Sequence, residues 1–215
     1  MIARLLSFYR LCKQSDTSIV YLLVHWVYYK LKGKQILLHQ KTIIKGSRNI
    51  ETDGTLWIGI GGADFSHKRD TTFLNIRGKL KIQSSVLISR GCRFDIGKNA
   101  LLEIGEHSYI HPFTKVIIQH GMRIGRYCSI SWDCQFLDDD FHELEYDGKK
   151  ETVNRQIVIG DRTWIGSNVS IYKGVVIGND CVVASNSVVK HTFTENNVLI
   201  AGNPARIIKR NIVWK

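Results

Sequence analysis

A repeat of six residues constrains the fold of this 215-residue chain more than any other feature. Near the C-terminus its aliphatic anchors keep an unbroken phase, at Ile159, Ile165, Ile171, Ile177, Val183 and Val189. The same period appears upstream, at Ile76, Ile82, Ile88 and Phe94, at Ile104, Ile110 and Val116, and at Ile118, Ile124, Ile130 and Phe136. This period fits neither a 3.6-residue helix nor an alternating strand, but it suits a short strand and turn forming one side of a triangular coil.

Three such repeats make one coil of eighteen residues, which predicts the contacts inside a prism. We expect Ile159 to stack under Ile177, Ile165 under Val183 and Ile171 under Val189, with glycine or asparagine at corners that need a positive φ. Four of the five cysteines lie four residues after an anchor, at Cys92, Cys128, Cys134 and Cys181. A buried thiol behaves as a small hydrophobic group. These cysteines are therefore predicted to fill inward positions rather than to react.

The chain divides into three regions by its residue pattern. Residues 1–40 read as a short helical region, 41–205 as a β-helix domain with a protruding loop at 137–156, and 206–215 as a basic tail. The fold class predicted is all-β, a parallel β-helix of hexapeptide repeats with a short N-terminal helical region. The longest apolar run, from Ile19 to Tyr29, has eleven residues, whereas about 20 are needed to span a bilayer. No secretory signal and no CxxC pair are present in the sequence, which favours a cytoplasmic location.

The net charge indicates the sign of charge expected on a binding partner, but it does not identify the partner. Thirty Lys and Arg against nineteen Asp and Glu give a formal net charge of +11, which favours anionic partners. No nucleic-acid-binding motif accompanies this charge, so nucleic-acid binding is not expected. The basic and apolar N-terminus suits peripheral contact with the inner face of the cytoplasmic membrane. It equally suits a helix that docks on the end of the β-helix or on a neighbouring subunit.

Three segments carry a family resemblance: SWDCQFLDDDFH (Ser131 to His142), IGDRTWIGSNVSIYKGVVIGND (Ile159 to Asp180) and IAGNPARIIKR (Ile200 to Arg210). Over roughly residues 70–210 the chain resembles the hexapeptide-repeat acyltransferases with a left-handed β-helix, and more closely the branch that O-acetylates polysaccharide or lipopolysaccharide sugars. The resemblance implies a homotrimer, acetyl-CoA as cosubstrate in the groove between neighbouring helices, a carbohydrate acceptor from the cell surface, and no metal.

The resemblance implies that the loop interrupting the repeat carries the catalytic histidine, and His142 is the only histidine in it, so His142 is the candidate general base. An alcohol becomes a competent nucleophile as its proton leaves, and imidazole titrates near neutrality. The resemblance implies that Asp138 or Asp140 orients the ring, while Asp139 occupies a more variable position. It also implies a backbone N–H of Ser167 as oxyanion donor and Trp164 near the thioester, with direct transfer. The alternatives are a solvated acidic turn with a bystander histidine, and structural roles for the Gly-Ser corner and Trp164.

The resemblance also assigns residues to the cosubstrate and the acceptor. A wall for pantetheine is implied at Trp164, Gly166, Ser167, Ala184 and Ser185. Cations for the nucleotide phosphates are implied at Arg206 and Lys209, and at Lys190, which is displaced by one residue from the usual place and equally suits a solvated lysine. His111 stands where related enzymes place an acceptor-binding asparagine, and Asp133 stands at a turn; either could be a plain surface or corner residue.

Other function classes stay open from the sequence. A β-helical zinc carbonic anhydrase would need three histidine ligands, for which His107, His111, His120 and His142 are raw material without the matching spacing. A non-catalytic β-helix scaffold would give no reason for the His142 loop. Among acyltransferases, an amino acid or an antibiotic is an alternative acceptor.

Overall fold

A computed structural model of the chain describes residues 9–60, 65–143, 145–150 and 155–215. Its body is a triangular prism whose three sides are parallel sheets, which we call faces A, B and C. Face A contains β1 (Gln35–Leu38), β4 (Thr55–Ile58), β7 (Val86–Ile88), β10 (Tyr109–Ile110), β13 (Ser129–Ile130), β18 (Trp164–Ile165), β21 (Val182–Val183), β23 (Val198–Gly202) and the antiparallel β24 (Ala205–Arg210).

The other two faces complete each coil. Face B contains β2 (Thr42–Lys45), β5 (Thr72–Ile76), β8 (Arg93–Ile96), β11 (Lys115–Ile118), β14 (Gln135–Leu137), β19 (Ser170–Tyr172) and β22 (Val188–Val189). Face C contains β3 (Ile50–Thr52), β6 (Lys79–Ile82), β9 (Leu101–Ile104), β12 (Met122–Ile124), β17 (Ile157–Ile159) and β20 (Val176–Ile177). A 3₁₀ turn (Ser47–Asn49) precedes β3, and a hairpin of β15 (Glu145–Tyr146) and β16 (Lys149–Lys150) lies in the loop between β14 and β17.

The predicted stacking of the repeat is confirmed in the C-terminal coils. The strand registers pair Ile159 with Ile177, Ile165 with Val183 and Ile171 with Val189. The upstream coils are longer than eighteen residues: Leu74 pairs with Phe94 and Leu80 with Leu102. Many strands there have four residues, whereas β17 to β22 have two or three, so each upstream side takes up more chain.

The aliphatic anchors and the cysteines fill one continuous core. Cys92, Cys128, Cys134 and Cys181 are all buried, as predicted, and none of the five cysteines is in a disulfide. Burial raises the pKa of Cys92 and Cys134 to about 12 and that of Cys128 to about 11. Because the thiolate is the reactive form of cysteine, these side chains act as packing groups.

The ends of the prism differ from the predicted boundaries. The first strand, β1, begins at Gln35 rather than after residue 40, because its apolar side chains join the core. The predicted basic tail is a strand as far as Arg210, held antiparallel to β23. At the N-terminus, residues 9–14 are helical, and α1 (Ile19–Leu31) follows, capped by the Ser18 side chain. Within the described part of the chain, no helix has the length and apolarity needed to cross a bilayer.

Candidate active site

The acidic loop leaves the prism after β14, at the corner between faces B and C. Asp138, the first of its three aspartates, is completely buried. Its carboxylate accepts backbone N–H groups from Gln119 at 2.6 Å, His120 at 2.8 Å and Gly121 at 2.7 Å. Both oxygens therefore face the turn of the preceding coil. These bonds tie Asp138 to that turn, and its role in orienting His142 stays a prediction.

Asp139 closes the neck of the same loop. Its Oδ2 contacts Nε2 of His120 at 2.6 Å and Nη1 of Arg155 at 3.0 Å, and its Oδ1 accepts the N–H of Phe141 at 2.6 Å. Burial alone would raise the pKa of Asp139, but these three donors together hold it below its ordinary value. Since Arg155 stands where the chain returns to the prism, Asp139 joins the two ends of the loop. The sequence did not favour this aspartate.

Asp140 and His142 lie farther out on the loop. Asp140 forms an ion pair with Lys173, 2.5 Å from Oδ2 to Nζ, where β19 reaches the same corner. His142 is exposed. In the described part of the chain, the aspartates thus have partners other than the His142 ring, and Asp140 is the one nearest to it in sequence. The loop is pinned at its base and presents the imidazole outward.

The TWIGS segment lies at the other end of face B, at the corner between faces A and B. Trp164 is 40% exposed, and its indole Nε1 donates to Ser131 Oγ at 3.1 Å. The backbone N–H of Ser167 donates to Ser185 Oγ at 3.1 Å. A Cβ on Gly166 would lie 2.6 Å from the Ser185 nitrogen, so glycine is required for this close approach of two coils. The predicted oxyanion donor is therefore present with the Ser185 hydroxyl as its partner.

Two rows of residues run from this corner to the cationic C-terminal strand. Strand pairing places Trp164, Val182, Leu199 and Lys209 in one row. The residues two positions after the first three members, together with Arg206, which pairs with Ala201, make a second row of Gly166, Ala184, Ala201 and Arg206. With about 4.8 Å between strands, each row spans roughly 14 Å. The chain thus brings together the side chains predicted for the pantetheine wall and two of the predicted phosphate-binding cations.

A groove of about 420 Å³ adjoins Ser167 at the same corner. It is lined by Lys115, Trp132, Asp133, Cys134, Gln135, Ser167, Asn168 and Ser170. Asp133 is a turn residue with φ of 58°, as the sequence allowed, and it is exposed beside the groove. His111 lies on the same corner two coils from Gly166. Its buried Nδ1 has no hydrogen-bond partner among the described residues, and burial lowers its pKa.

Lys190 is not part of this group. It follows β22 and so lies at the corner between faces B and C, on the side of Lys173 and the His142 loop. Lys173 is six positions after Ser167, which corresponds to at most about 20 Å of extended chain across face B. Within one chain the predicted residues therefore form two groups, one at each edge of face B. We call them the TWIGS edge and the loop edge.

Two residues near these edges were not singled out as site residues from the sequence. The Trp214 ring lies 6.1 Å from the Trp164 ring, and its Nε1 donates to the carbonyl of Arg162 at 2.8 Å. Nothing local in the sequence indicates this contact, because the two tryptophans are fifty residues apart. His120, considered only as raw material for zinc, pairs with Asp139. In the described part of the chain, no three His, Cys, Asp or Glu side chains are grouped as a metal site would need.

Comparison with known proteins relates this geometry to a family. The model described as bacterial transferase hexapeptide (six repeats) matches residues 156–191. The chain is 37% identical to a Klebsiella pneumoniae protein described as an uncharacterized 24.8 kDa protein in cps region, over 95% of this chain and 92% of that protein. It is 31% identical to the polysialic acid O-acetyltransferase of Escherichia coli O1:K1 over 66% of this chain, and spans 44% of that enzyme.

A solved structure shows the same architecture. The polysialic acid O-acetyltransferase OatWY superposes with a TM-score of 0.57, covering 84% of this chain and 89% of that chain at 24% identity. The repeat, the family match and the relative of nearly full length agree with the stacked coils described above. The chain belongs to the hexapeptide-repeat acyltransferases and has their left-handed parallel β-helix fold.

Proposed function

We propose that this enzyme transfers an acetyl group from acetyl-CoA to a sugar hydroxyl of a cell-surface glycan of the capsular or lipopolysaccharide type. The observation that carries the proposal is the TWIGS edge, where Trp164 and Gly166, beside the N–H of Ser167, begin two rows that end on Lys209 and Arg206. The similar proteins support the acceptor class, since one is named for polysialic acid and another for its place in a cps region.

The two rows suit coenzyme A. Pantetheine is neutral and extended, so it can lie along the small residues Gly166 and Ala184 and the hydroxyls of Ser167 and Ser185. The nucleotide phosphates need cations, which the exposed Arg206 and Lys209 supply. Trp164 then flanks the thioester end of the molecule.

The chemistry assigned to the site is direct acyl transfer. His142 removes the proton of the sugar hydroxyl as its oxygen attacks the thioester carbonyl. The oxyanion of the tetrahedral intermediate accepts the N–H of Ser167, once the Ser185 hydroxyl turns away. Collapse breaks the carbon–sulfur bond, and the His142 imidazolium returns its proton to the coenzyme A thiolate. Asp138 and Asp140 are both candidates to stabilise the imidazolium, and Asp140 would do so by releasing Lys173.

The separation of the two edges supports a homotrimer with sites between subunits. The loop edge carries His142, and the TWIGS edge carries Trp164 and Ser167, with face B between them in one chain. A neighbouring copy could place its loop edge against the TWIGS edge of the first. Each site would then take its base from one subunit and its oxyanion donor from the next.

The acceptor site is proposed on the groove beside Ser167. The Asp133 carboxylate lines this groove and can accept hydrogen bonds from hydroxyl groups. His111 lies on the same corner. A carboxylate and a neutral imidazole bind sugar hydroxyls by hydrogen bonds, and the apolar face of a sugar ring can pack on Trp132. A cytoplasmic site of action fits a cosubstrate that cells hold in the cytoplasm.

An acetyl-transfer assay tests the proposal. The purified protein is incubated with acetyl-CoA and capsular or lipopolysaccharide glycans, and free thiol release and glycan mass are followed together. We expect glycan-dependent thiol release with a mass gain of one acetyl group per event. Amino acids and aminoglycoside or macrolide antibiotics serve as comparison acceptors; turnover with these and none with any glycan would contradict the assignment.

A further inference from the structure

One face of helix α1 consists only of exposed apolar side chains. They recur at spacings of three and four residues and are between 42% and 84% exposed. The face consists of Val20, Leu23, Val24, Val27, Tyr28 and Leu31. Residues spaced in this way lie on one side of a helix. An apolar surface of this kind on a globular protein usually marks an interaction site.

The opposite face of α1 fixes the helix on the protein. Leu22 is fully buried in a cluster with Cys12, Leu37 and Ile60, and Tyr29 joins the main core. At 3.6 residues per turn, Leu22 and Tyr29 lie on the opposite side of the helix from Val20 and Leu31. The exposed apolar face is therefore presented outward by a helix anchored at the β1 end of the prism.

The charged residues of helix α1 and of the turn that follows it are all basic. Helix α1 contains no acidic residue, and its last turn carries Lys30. Nζ of Lys30 lies 4.7 Å from the centre of the Trp26 ring, and Lys32, just beyond the helix, bonds the Tyr28 hydroxyl. On the segment before the helix, Lys13 and Asp16 are both exposed, so their charges offset each other. Basic and aromatic side chains beside an apolar face are typical of helices that lie at a membrane surface.

Charge complementarity favours an anionic membrane over a second copy. If two copies met in parallel along this face, their Lys30 and Lys32 side chains would face each other. An anionic phospholipid surface instead attracts each lysine, by about 1 kcal/mol per residue near the surface. The helix has 13 residues, or roughly 20 Å, which is shorter than a bilayer core of about 30 Å. We propose that α1 lies flat in the interface of an anionic phospholipid bilayer and holds the enzyme there.

Vesicle flotation with the full-length protein tests this proposal. The probes are vesicles of phosphatidylcholine alone and vesicles that also contain phosphatidylglycerol. We expect the wild-type protein to float with the anionic vesicles and to be released as salt is raised. Val24→Glu and Leu31→Glu each put a carboxylate in the exposed apolar face that would enter the bilayer, so we expect at least about a tenfold loss of partitioning.

Ile208→Glu is the matched control, because Ile208 is 56% exposed on β24 at the opposite end of the sheet. It should float like the wild type. Circular dichroism and sedimentation velocity check that each variant folds and keeps its mass. No binding of the wild-type protein to anionic vesicles would overturn the proposal. Lower oligomer mass in Val24→Glu, with flotation unchanged, would also overturn it and assign the face to a second copy. Acetyl transfer is not measured, so the result is independent of the proposed reaction.

Discussion

The backbone N–H of Ser167 and the hydroxyl oxygen of Ser185 are 3.1 Å apart and hydrogen-bonded, so the proposed oxyanion donor has a partner that must leave before catalysis. Ser185→Ala removes this competitor. We expect an unchanged or severalfold higher kcat, together with a loss of about 1 kcal/mol in the free energy of unfolding from the missing hydrogen bond. Steady-state kinetics and urea denaturation measure the two effects. A hundredfold fall in kcat would instead place the Ser185 hydroxyl in the chemistry.

Asp138 and Asp140 offer a matched pair of substitutions. Asp138→Asn replaces an oxygen that accepts buried N–H groups with a donor, and we expect a loss of about 3 kcal/mol in the free energy of unfolding. Asp140→Asn breaks only the half-exposed pair with Lys173, and we expect a loss below about 1 kcal/mol. Chemical denaturation compares the two variants. Equal losses would show that the buried acceptor role of Asp138 is misassigned.

The repeat made the fold predictable, whereas the site was only half predictable. A period of six specifies which side chains point inward, and the stacking of Ile159 on Ile177 followed from counting. The contacts of the aspartates could not be found by counting, because the partners of Asp138 lie on the preceding coil. The geometry of the corner decides which carboxylate accepts N–H groups from which turn. Trp214 likewise reaches the TWIGS edge only through the folding of β24. Local sequence patterns do not predict such long-range contacts.

Buried His39 makes stability depend on pH. It is 1% exposed, and burial, with Arg90 nearby, lowers its pKa from 6.5 to about 4. The folded state therefore binds a proton on His39 less readily than the unfolded state does. The contribution of neutral His39 to the free energy of unfolding is complete above pH 6.5 and is lost as the pH drops toward 4. The loss attributable to His39 is about 3 kcal/mol. Urea denaturation from pH 7 to 4 should show a shallower decline in His39→Gln; an identical decline would contradict this origin.

Mixed oligomers test whether each site is shared between subunits. His142→Ala damages the loop edge, and Ser185→Tyr fills the TWIGS edge; each variant alone should be inactive. If the sites lie between neighbouring subunits, equal co-refolding should regenerate about a quarter of the wild-type sites. Acetyl transfer after mixing measures the recovery. Failure to recover activity, with mixed oligomers verified by mass, would place the whole site within one chain.

The role of His142 as general base is tested by comparing two histidines in the glycan acetylation assay. His142→Ala removes the proposed base from an exposed loop position, and His120→Ala removes the imidazole that pairs with Asp139 on the neighbouring turn. We expect kcat for His142→Ala to fall by at least about a hundredfold with the fold retained, while His120→Ala keeps most of its activity. An active His142→Ala enzyme, with activity lost in His120→Ala, would contradict the account and move the base to the His120–Asp139 pair.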